Sequence, residues 1–331
     1  IMKLHNHYNV IIVGAGIAGQ NCARNLINSN HSVLLVESNP NFQNKPCAGG
    51  LTEKDKKYIP QKYYKEKTQK GCVVWKNEKI LTNLPVITHI SRSKYLEEGI
   101  TEVGKSSNIQ VLIPNKVVKI KDKYIEIENG QKIGFDYLVG ADGTFSIVRK
   151  HLRLNKKKLW IGIQYRTKNN NSKDISEIHL EKNTAGYYWI FPRANYCSVG
   201  VWTLLDVTTP SKAKEKLDEF LIQNKLTKKS NTLSSAIVNS VYKGYKFGNI
   251  YLAGDAAGLT PGLTGEGIYP ALLSGKVIAQ DILRKKKDSK EITKHLLNKY
   301  TMDIFAGFLN KPISRKFFFN IGIQMFKNTF L

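Results

Sequence analysis

Hydrophobic residues fall into a few short, sharply bounded runs. Tyr8–Val13 is a continuous apolar stretch of strand length. It breaks at Gly14-Ala15-Gly16-Ile17-Ala18-Gly19 and gives way to a helical stretch through Asn28. Asn30-His31 marks a turn, and Ser32–Val36 is a second apolar strand ending at Glu37. The pattern predicts a βαβ unit. Two later segments repeat the same punctuation. Phe135–Val139 runs into Gly140-Ala141-Asp142-Gly143, and Ile250–Leu252 runs into Ala253-Gly254-Asp255-Ala256-Ala257-Gly258. Elsewhere the apolar positions alternate, as strands require. Residues 72–90 and 151–245 hold such runs, among them Gln164-Tyr165, Glu177–Leu180, Tyr187–Pro192 and Tyr196–Thr203. The odd positions Tyr187, Trp189 and Phe191 share one face of their strand. The Lys- and Glu-rich stretch Ser211–Asn224 reads as a helix that serves only as a solvated face.

The glycine spacing in the first unit has a physical reading. Gly14 permits a tight turn, Gly16 lets backbone approach a pyrophosphate, and Gly19 allows close helix–strand packing, with Ala18 beside it. The helix start offers unsatisfied N–H groups to phosphates. Glu37 stands 18 residues past Gly19, where an acid accepts hydrogen bonds from ribose hydroxyls and repels a 2′-phosphate. That leaves NAD or the adenylate half of FAD. A plain NAD dehydrogenase needs no second and third aspartate–glycine element. The three together resemble the FAD-binding domain of glutathione-reductase-like and hydroxybenzoate-hydroxylase-like flavoproteins. The resemblance implies a Rossmann-like α/β FAD-binding domain carrying an inserted mixed β-sheet domain and C-terminal helices. It implies that Asp255 meets the ribityl chain, and that the helix opening at Gly265-Glu266-Gly267-Ile268 points its N-terminus at the flavin pyrimidine. It places Asp142, Arg92 and the backbone of Val118 around FAD.

Composition narrows the class. The chain has 331 residues, 41% of them hydrophobic, enough for two cores or one large α/β unit. Cys22, Cys47, Cys72 and Cys197 form no CxxC pair, so neither a zinc site nor a disulfide scaffold is expected. The polar opening Met2–His7 lacks a secretory pattern, which predicts a cytoplasmic protein. The net charge of +25 reads either as attraction to an anionic partner or as a lysine-rich coding bias over solvated faces. No aromatic–basic module speaks for nucleic acid. An anionic membrane surface, touched peripherally, fits the first reading better. No run reaches the ~18 apolar residues that span a bilayer. The stretch Phe317–Phe326 reads as a core helix ahead of an interfacial one.

Two motifs remain. Residues 46–50 are Pro-Cys-Ala-Gly-Gly. Tyr187-x-Trp189-x-Phe191-Pro192 precedes Gly200, followed by Val201 and Trp202. With the segment from Gly254 to Ile268 they resemble the geranylgeranyl reductase family over nearly the whole chain. That resemblance implies reduction of isolated C=C bonds in polyprenyl lipids or diphosphates, with hydride from reduced FAD and a separate proton. It sets Cys47 and Ala48 beside the flavin ring, with Cys47 gating the loop ahead of acting as acid. It makes Tyr187, Trp189 and Phe191 a wall for the hydrocarbon. The absence of a second G-x-G-x-x-G implies an external electron donor: NADPH, a ferredoxin or a small reductase. The expected division is an FAD-binding domain from 1–71, 91–150 and 246–285, a substrate domain from 72–90 and 151–245, and a helical region over 286–331. A flavin monooxygenase or halogenase on the same fold is the alternative, and a non-catalytic flavin-binding lipid carrier is a further one.

Overall fold

The computed structural model describes residues 4–42, 47–64, 70–75, 78–81, 88–168, 175–181, 183–284, 289–308 and 313–314. The segment 317–326 and residues 43–46, which include Pro46, lie outside them.

Continuous apolar strands call for cover on both faces. Strand β1 (His7–Val13) is flanked by β2 (Val33–Val36) and β10 (Lys132–Gly140), all parallel. Strand β7 (Ile109–Leu112) extends this sheet beyond β2, and β17 (Ile250–Leu252) extends it beyond β10. The short β16 (Lys246–Phe247) closes the β17 edge, while the hairpin of β8 (Val117–Ile120) and β9 (Tyr124–Ile127) hangs from β10. One face is covered by α1 (Ile17–Arg24), α3 (Arg92–Gly104) and α6 (Ile268–Ile282), and α4 (Ile147–His151) packs on the other. Contact between α1 and α6 is close because Gly275 presents no side chain to the carbonyl of Ala18, 2.5 Å from where its Cβ would stand. Helix α7 (Ser289–Phe308) follows and packs on α6.

The second sheet has seven strands in the order β15 (Ser234–Asn239), β11 (Leu159–Thr167), β14 (Cys197–Leu204), β13 (Gly186–Pro192), β12 (Ile175–Leu180), β4 (Lys70–Trp75) and β5 (Glu78–Leu81). Its period-two alternation is clean. Ile161, Ile163, Tyr188, Ile190, Val199 and Val201 face one side. Trp160, Trp189, Phe191, Trp202 and Leu204 face the other. The first face is covered by α5 (Pro210–Gln223), which buries Ala213, Leu217, Phe220 and Leu221. This corrects the expectation that the helix serves only solvent. Its four apolar positions fall at helical spacing, hidden among lysines and glutamates.

A second difference concerns the end of the 72–90 stretch, expected to belong to the substrate sheet; residues 82–87 lie outside the described ones. Among the described residues only β6 (Thr88–His89) is extended. It pairs with β3 (Gly50–Leu51), just after the cysteine turn, rather than with the large sheet. Helix α2 (Glu53–Lys56) follows directly.

Candidate active site

The glycine loop has the geometry its spacing predicts. Gly14 adopts φ +99°, and a Cβ there would stand 2.5 Å from the Ala141 carbonyl. A Cβ on Gly19 would overlap the Gly14 carbonyl, so helix and loop touch backbone to backbone. A Cβ on Gly16 would meet nothing within 4 Å. Gly16 therefore faces open space at the helix start, the cradle a pyrophosphate requires. Glu37 closes this loop: its Oε2 accepts from the Ala15 N–H at 2.8 Å and its Oε1 from the Asn39 N–H at 2.8 Å. Each oxygen keeps acceptor capacity for a ribose hydroxyl. Ala18 is buried under Gly254 and Gly275 and packs α1 onto α6.

The two aspartate elements flank this cradle. Asp142 Oδ2 accepts from the Ile147 N–H at 2.7 Å, whereas its Oδ1 is buried without a partner among the described residues. Burial pushes the Asp142 carboxyl above its usual range. An acid in that state is suited to meet a donor brought by a ligand. Asp255 accepts from the Thr260 hydroxyl at 2.7 Å. Gly267 stands at the N-terminus of α6, where no side chain caps the free N–H groups, and Ile268 is the first helical residue. Val118 lies on the outer hairpin strand with its side chain exposed, so only its backbone is placed to meet a ligand. The unfilled space at Gly16, the orphaned Asp142 oxygen and the uncapped α6 end together fit an FAD.

Where the two sheets meet, a cleft of about 710 Å³ opens. Cys47, Gly49 and Arg92 line it from the dinucleotide side; Gln164, Arg193, Ser198 and Ser234 line it from the second sheet. The sheets are tied beside it, since the Thr144 hydroxyl donates to the Ile237 carbonyl at 2.7 Å. Cys47 Sγ accepts from the Gly49 N–H at 3.3 Å, and Gly49 turns at φ +74°. Arg193, two residues past Phe191, donates from Nη2 to the Ala48 carbonyl. His89 is fully buried beside this turn, its ring 5.9 Å from that of Phe191. Desolvation, and secondarily the Arg193 charge, drive its pKa down to about 3, so it is neutral.

Tyr187, Trp189 and Phe191 share one face, with successive ring centroids 6.4 Å apart. That face is covered rather than open. Trp189 and Phe191 are 6% and 7% exposed, packed with Trp202, Ala48, Leu263 and Ala306 of α7. The Tyr187 hydroxyl donates to the Thr264 carbonyl at 2.6 Å, and the Trp202 indole N–H to the Gly262 carbonyl at 2.8 Å. The aromatic face is thus seated on the 260–267 loop that leads into α6. The cleft passes its Phe191 end, where the Trp189 N–H donates to Ser198 Oγ at 3.0 Å.

Sequence reasoning missed Arg193, His89, Gln164 and the stacked pair Trp160–Trp202, whose ring centroids are 5.8 Å apart. The signal for the last was available. Gly162 pairs directly with Trp202, and Gly200 with Trp189, and a glycine opposite a tryptophan marks where the indole lies down.

A dinucleotide sheet whose glycine loop is flanked by two aspartate turns and an uncapped helix end, joined to a second sheet across a cleft, defines a flavin-dependent oxidoreductase. The chain belongs to the FAD binding domain family, whose model matches residues 97–272; the model for pyridine nucleotide-disulphide oxidoreductases matches residues 8–168. It is an FAD-dependent oxidoreductase, with FAD as cofactor. It is 24% identical to digeranylgeranylglycerophospholipid reductase 3 of Methanosphaera stadtmanae, over 96% of this chain and 86% of that one. A geranylgeranyl bacteriochlorophyll reductase-like structure from Thermoplasma acidophilum superposes with TM-score 0.77 at 20% identity, covering 92% of each chain. A probable FAD-dependent monooxygenase from Pseudomonas aeruginosa superposes with TM-score 0.71 at 14% identity, over 95% of this chain and all of that one.

Proposed function

We propose that this flavoprotein saturates isolated C=C bonds in polyprenyl chains carried on a lipid or diphosphate head. The observation that carries the reading is the link between Arg193 and Ala48. Through it the cysteine turn of the dinucleotide domain is clamped to the end of the aromatic strand, at the mouth of the shared cleft. Relatives named as digeranylgeranylglycerophospholipid reductases support the substrate class.

In this reading Gly14, Gly16 and Gly19 cradle the FAD pyrophosphate, Glu37 takes the adenosine ribose and Asp255 the ribityl chain. Arg92, Asp142, Val118, Ala48, Gly267 and Ile268 complete the contacts. When bound, reduced FAD supplies the hydride. An isolated alkene has no carbonyl to polarise, so the protein contributes position and dryness. Tyr187, Trp189 and Phe191 hold the hydrocarbon, which reaches them by displacing α7, whose Ala306 belongs to the same apolar cluster. Cys47 keeps the turn closed through its bond from the Gly49 N–H. An external reductant recharges the cofactor.

Peripheral contact with an anionic membrane belongs to the same reading. Helix α7 exposes Leu297, Tyr300, Ile304 and Phe308 along one stripe, on a protein of net charge +25. No helix among the described residues is long and apolar enough to cross a membrane.

The test is anaerobic. FAD-loaded protein is reduced with dithionite and mixed with a digeranylgeranyl glycerophospholipid in vesicles, and the lipid is weighed by mass spectrometry. Gain of two hydrogens per double bond without oxygen is expected. Products that appear only with oxygen, and carry an oxygen atom, would replace this reading with the monooxygenase one, which the Pseudomonas likeness keeps in view.

A further inference from the structure

Five residues past Cys47, Thr52 connects the cysteine turn to the loop that opens α6. Its hydroxyl lies 2.9 Å from Asp55 Oδ2 and 3.0 Å from Glu266 Oε1. A threonine hydroxyl has a single proton to donate, and two ionised carboxylates offer only acceptors. With both acids charged, one of the two short contacts would set oxygen against oxygen with no proton between. With one acid neutral, both contacts are hydrogen bonds running in a single direction.

Asp55 has the surroundings of the neutral member. It is 1% exposed. Its Oδ2 also accepts from the Thr52 N–H at 2.7 Å, while its Oδ1 is buried with no hydrogen-bond partner among the described residues. An ionised Asp55 would leave charge on an undressed oxygen. The groups that face the pair are few. Lys54 favours the charged form of Asp55 and Glu266 opposes it, and Tyr64 lies within reach of the Asp55 charge. On the Glu266 side stand Tyr187, Tyr269 and His295. Burial first, and Glu266 among the further causes, raises the Asp55 carboxyl to about 6.

The position of the pair matters as much as its chemistry. Glu266 lies between Gly265, whose Cβ would stand 3.0 Å from the Trp202 ring, and Gly267 at the head of α6. Its charge reaches the Tyr187 hydroxyl, which is bonded to Thr264 two residues away. The far end, Asp55, is sealed from solvent.

We propose that Asp55 and Glu266 share one proton through the Thr52 hydroxyl, and that this chain is the source of the proton consumed when a double bond is saturated. The second half rests on the reductase reading above. Saturating one C=C bond makes two C–H bonds. One takes the hydride from the reduced cofactor; the other takes a proton that leaves by way of Glu266. Glu266 acquires that proton beforehand: the Thr52 hydroxyl passes its own proton to Glu266 and takes the one from Asp55, and once Glu266 has given its proton up, a proton from solvent enters at the partly exposed Glu266 and returns along the same chain to Asp55. Asp55 and Thr52 are positioning residues in this scheme, acting through Glu266.

Two measurements separate the parts. Infrared spectra of the full-length protein, with and without FAD, are expected to show the C=O stretch of a protonated carboxyl at pH 5, below the Asp55 value of about 6. It should shift in heavy water and vanish in Asp55→Asn and Thr52→Val; its absence from the native protein overturns the shared proton. Thr52→Ser, which keeps the hydroxyl, should retain the band. The second measurement is the stopped-flow rate at which the polyprenyl lipid reoxidises the dithionite-reduced flavin. That rate should fall about 100-fold in Thr52→Val and Glu266→Gln, recover in Thr52→Ser, and lose its native pH dependence near pH 6 in Asp55→Asn. Unchanged rates with the band present overturn the proton-source role. A native protein that shows the band and reduces no alkene overturns the reductase reading and that role with it, and leaves the shared proton standing.

Discussion

The indole of Trp189 lies across the bare Cα of Gly200 on the neighbouring strand. A Cβ at Gly200 would collide with Trp189 Cζ2 and stand 2.5 Å from the Ile163 carbonyl. Neither obstacle can retreat, since the ring is held by its bond to Ser198 and the carbonyl belongs to the sheet. Gly200→Ala should therefore destabilise the protein by about 2 kcal/mol, a typical overpacking cost, read from the denaturant midpoint at unchanged m-value. Replacing Trp189 by Phe in the same chain should return part of that loss.

The three glycines of the first loop separate binding from folding. Gly16 faces empty space, so Gly16→Val should keep the thermal midpoint of the FAD-free protein and weaken FAD binding at least tenfold, measured by flavin fluorescence. Gly19 has the Gly14 carbonyl where a Cβ would go, so Gly19→Val should fail before any ligand is added. A Gly16→Val protein that binds FAD normally would remove the pyrophosphate from that cradle.

His89 gives the protein an acid-sensitive point. Its folded pKa of about 3 lies below the ordinary histidine value, so protonation favours the unfolded chain. The stability tied to neutral His89 is complete above about pH 6.5 and is lost as pH falls toward 3, amounting to a few kcal/mol at the acid end. Asp55 acts in the opposite sense. Its carboxyl is raised to about 6, so its share is complete below about pH 4 and lost as pH rises through 6. Chemical denaturation of His89→Phe across pH 3–7 should show a shallower loss of stability than the native chain, with the Asp55 contribution common to both.

Arg149 is buried at 2% exposure with four main-chain carbonyls as partners: Leu154, Lys156, Val241 and Ala256, at 2.9–3.2 Å. It ties the helix after Asp142 to the Gly-Asp-Ala-Ala-Gly turn without a carboxylate. Arg149→Ala strands four main-chain acceptors, one fully buried and three partly so, and should cost at least about 3 kcal/mol. Arg149→Lys, with a single ammonium in place of a planar fork, should recover less than half of this in thermal unfolding.

Local pattern carried the dinucleotide half because each of its signals is local. A strand, a glycine spacing and a terminal acid lie within about thirty residues. Period-two alternation likewise exposed β11, β13 and β14. What stayed hidden depends on contacts across the chain. Arg193 reads as an ordinary polar residue until the fold brings Ala48 to it, 145 positions away in sequence. The apolar positions of α5 are diluted by lysines and glutamates, so the helix reads as a surface until the sheet beneath it is known. Thr52 and Asp55 look like a helix start, which they are, and only Glu266, 214 positions from Thr52, turns them into an acid pair. The open aromatic wall inferred from Tyr187, Trp189 and Phe191 was right about the shared face. It could not show that the rings are buried in a cluster that takes in Ala306 of α7, because Ala306 carries no sign of where it packs.

Arg193 offers the most direct handle on how the two domains act together. Its guanidinium bonds the Ala48 carbonyl and crowds Gly49, whose Cβ would stand 2.7 Å from Nη2. The same residue follows Pro192 at the end of the aromatic strand, and its backbone N–H is fixed to the Tyr196 carbonyl at 2.7 Å. A shift of the cysteine turn is therefore a shift against a rigid hairpin. Arg193→Lys keeps the charge, and with it the secondary contribution that adds to burial in lowering the His89 pKa, but gives up the fork that reaches Ala48. FAD affinity should change less than threefold, since the cradle at Gly16 and Glu37 lies elsewhere. Alkene-dependent flavin reoxidation should slow at least tenfold, because a turn misplaced by about 1 Å is enough to spoil reacting geometry. Intrinsic tryptophan fluorescence should report a loosened Trp189 environment in the same variant. Equal loss of FAD binding and turnover would instead make Arg193 a general support of the fold.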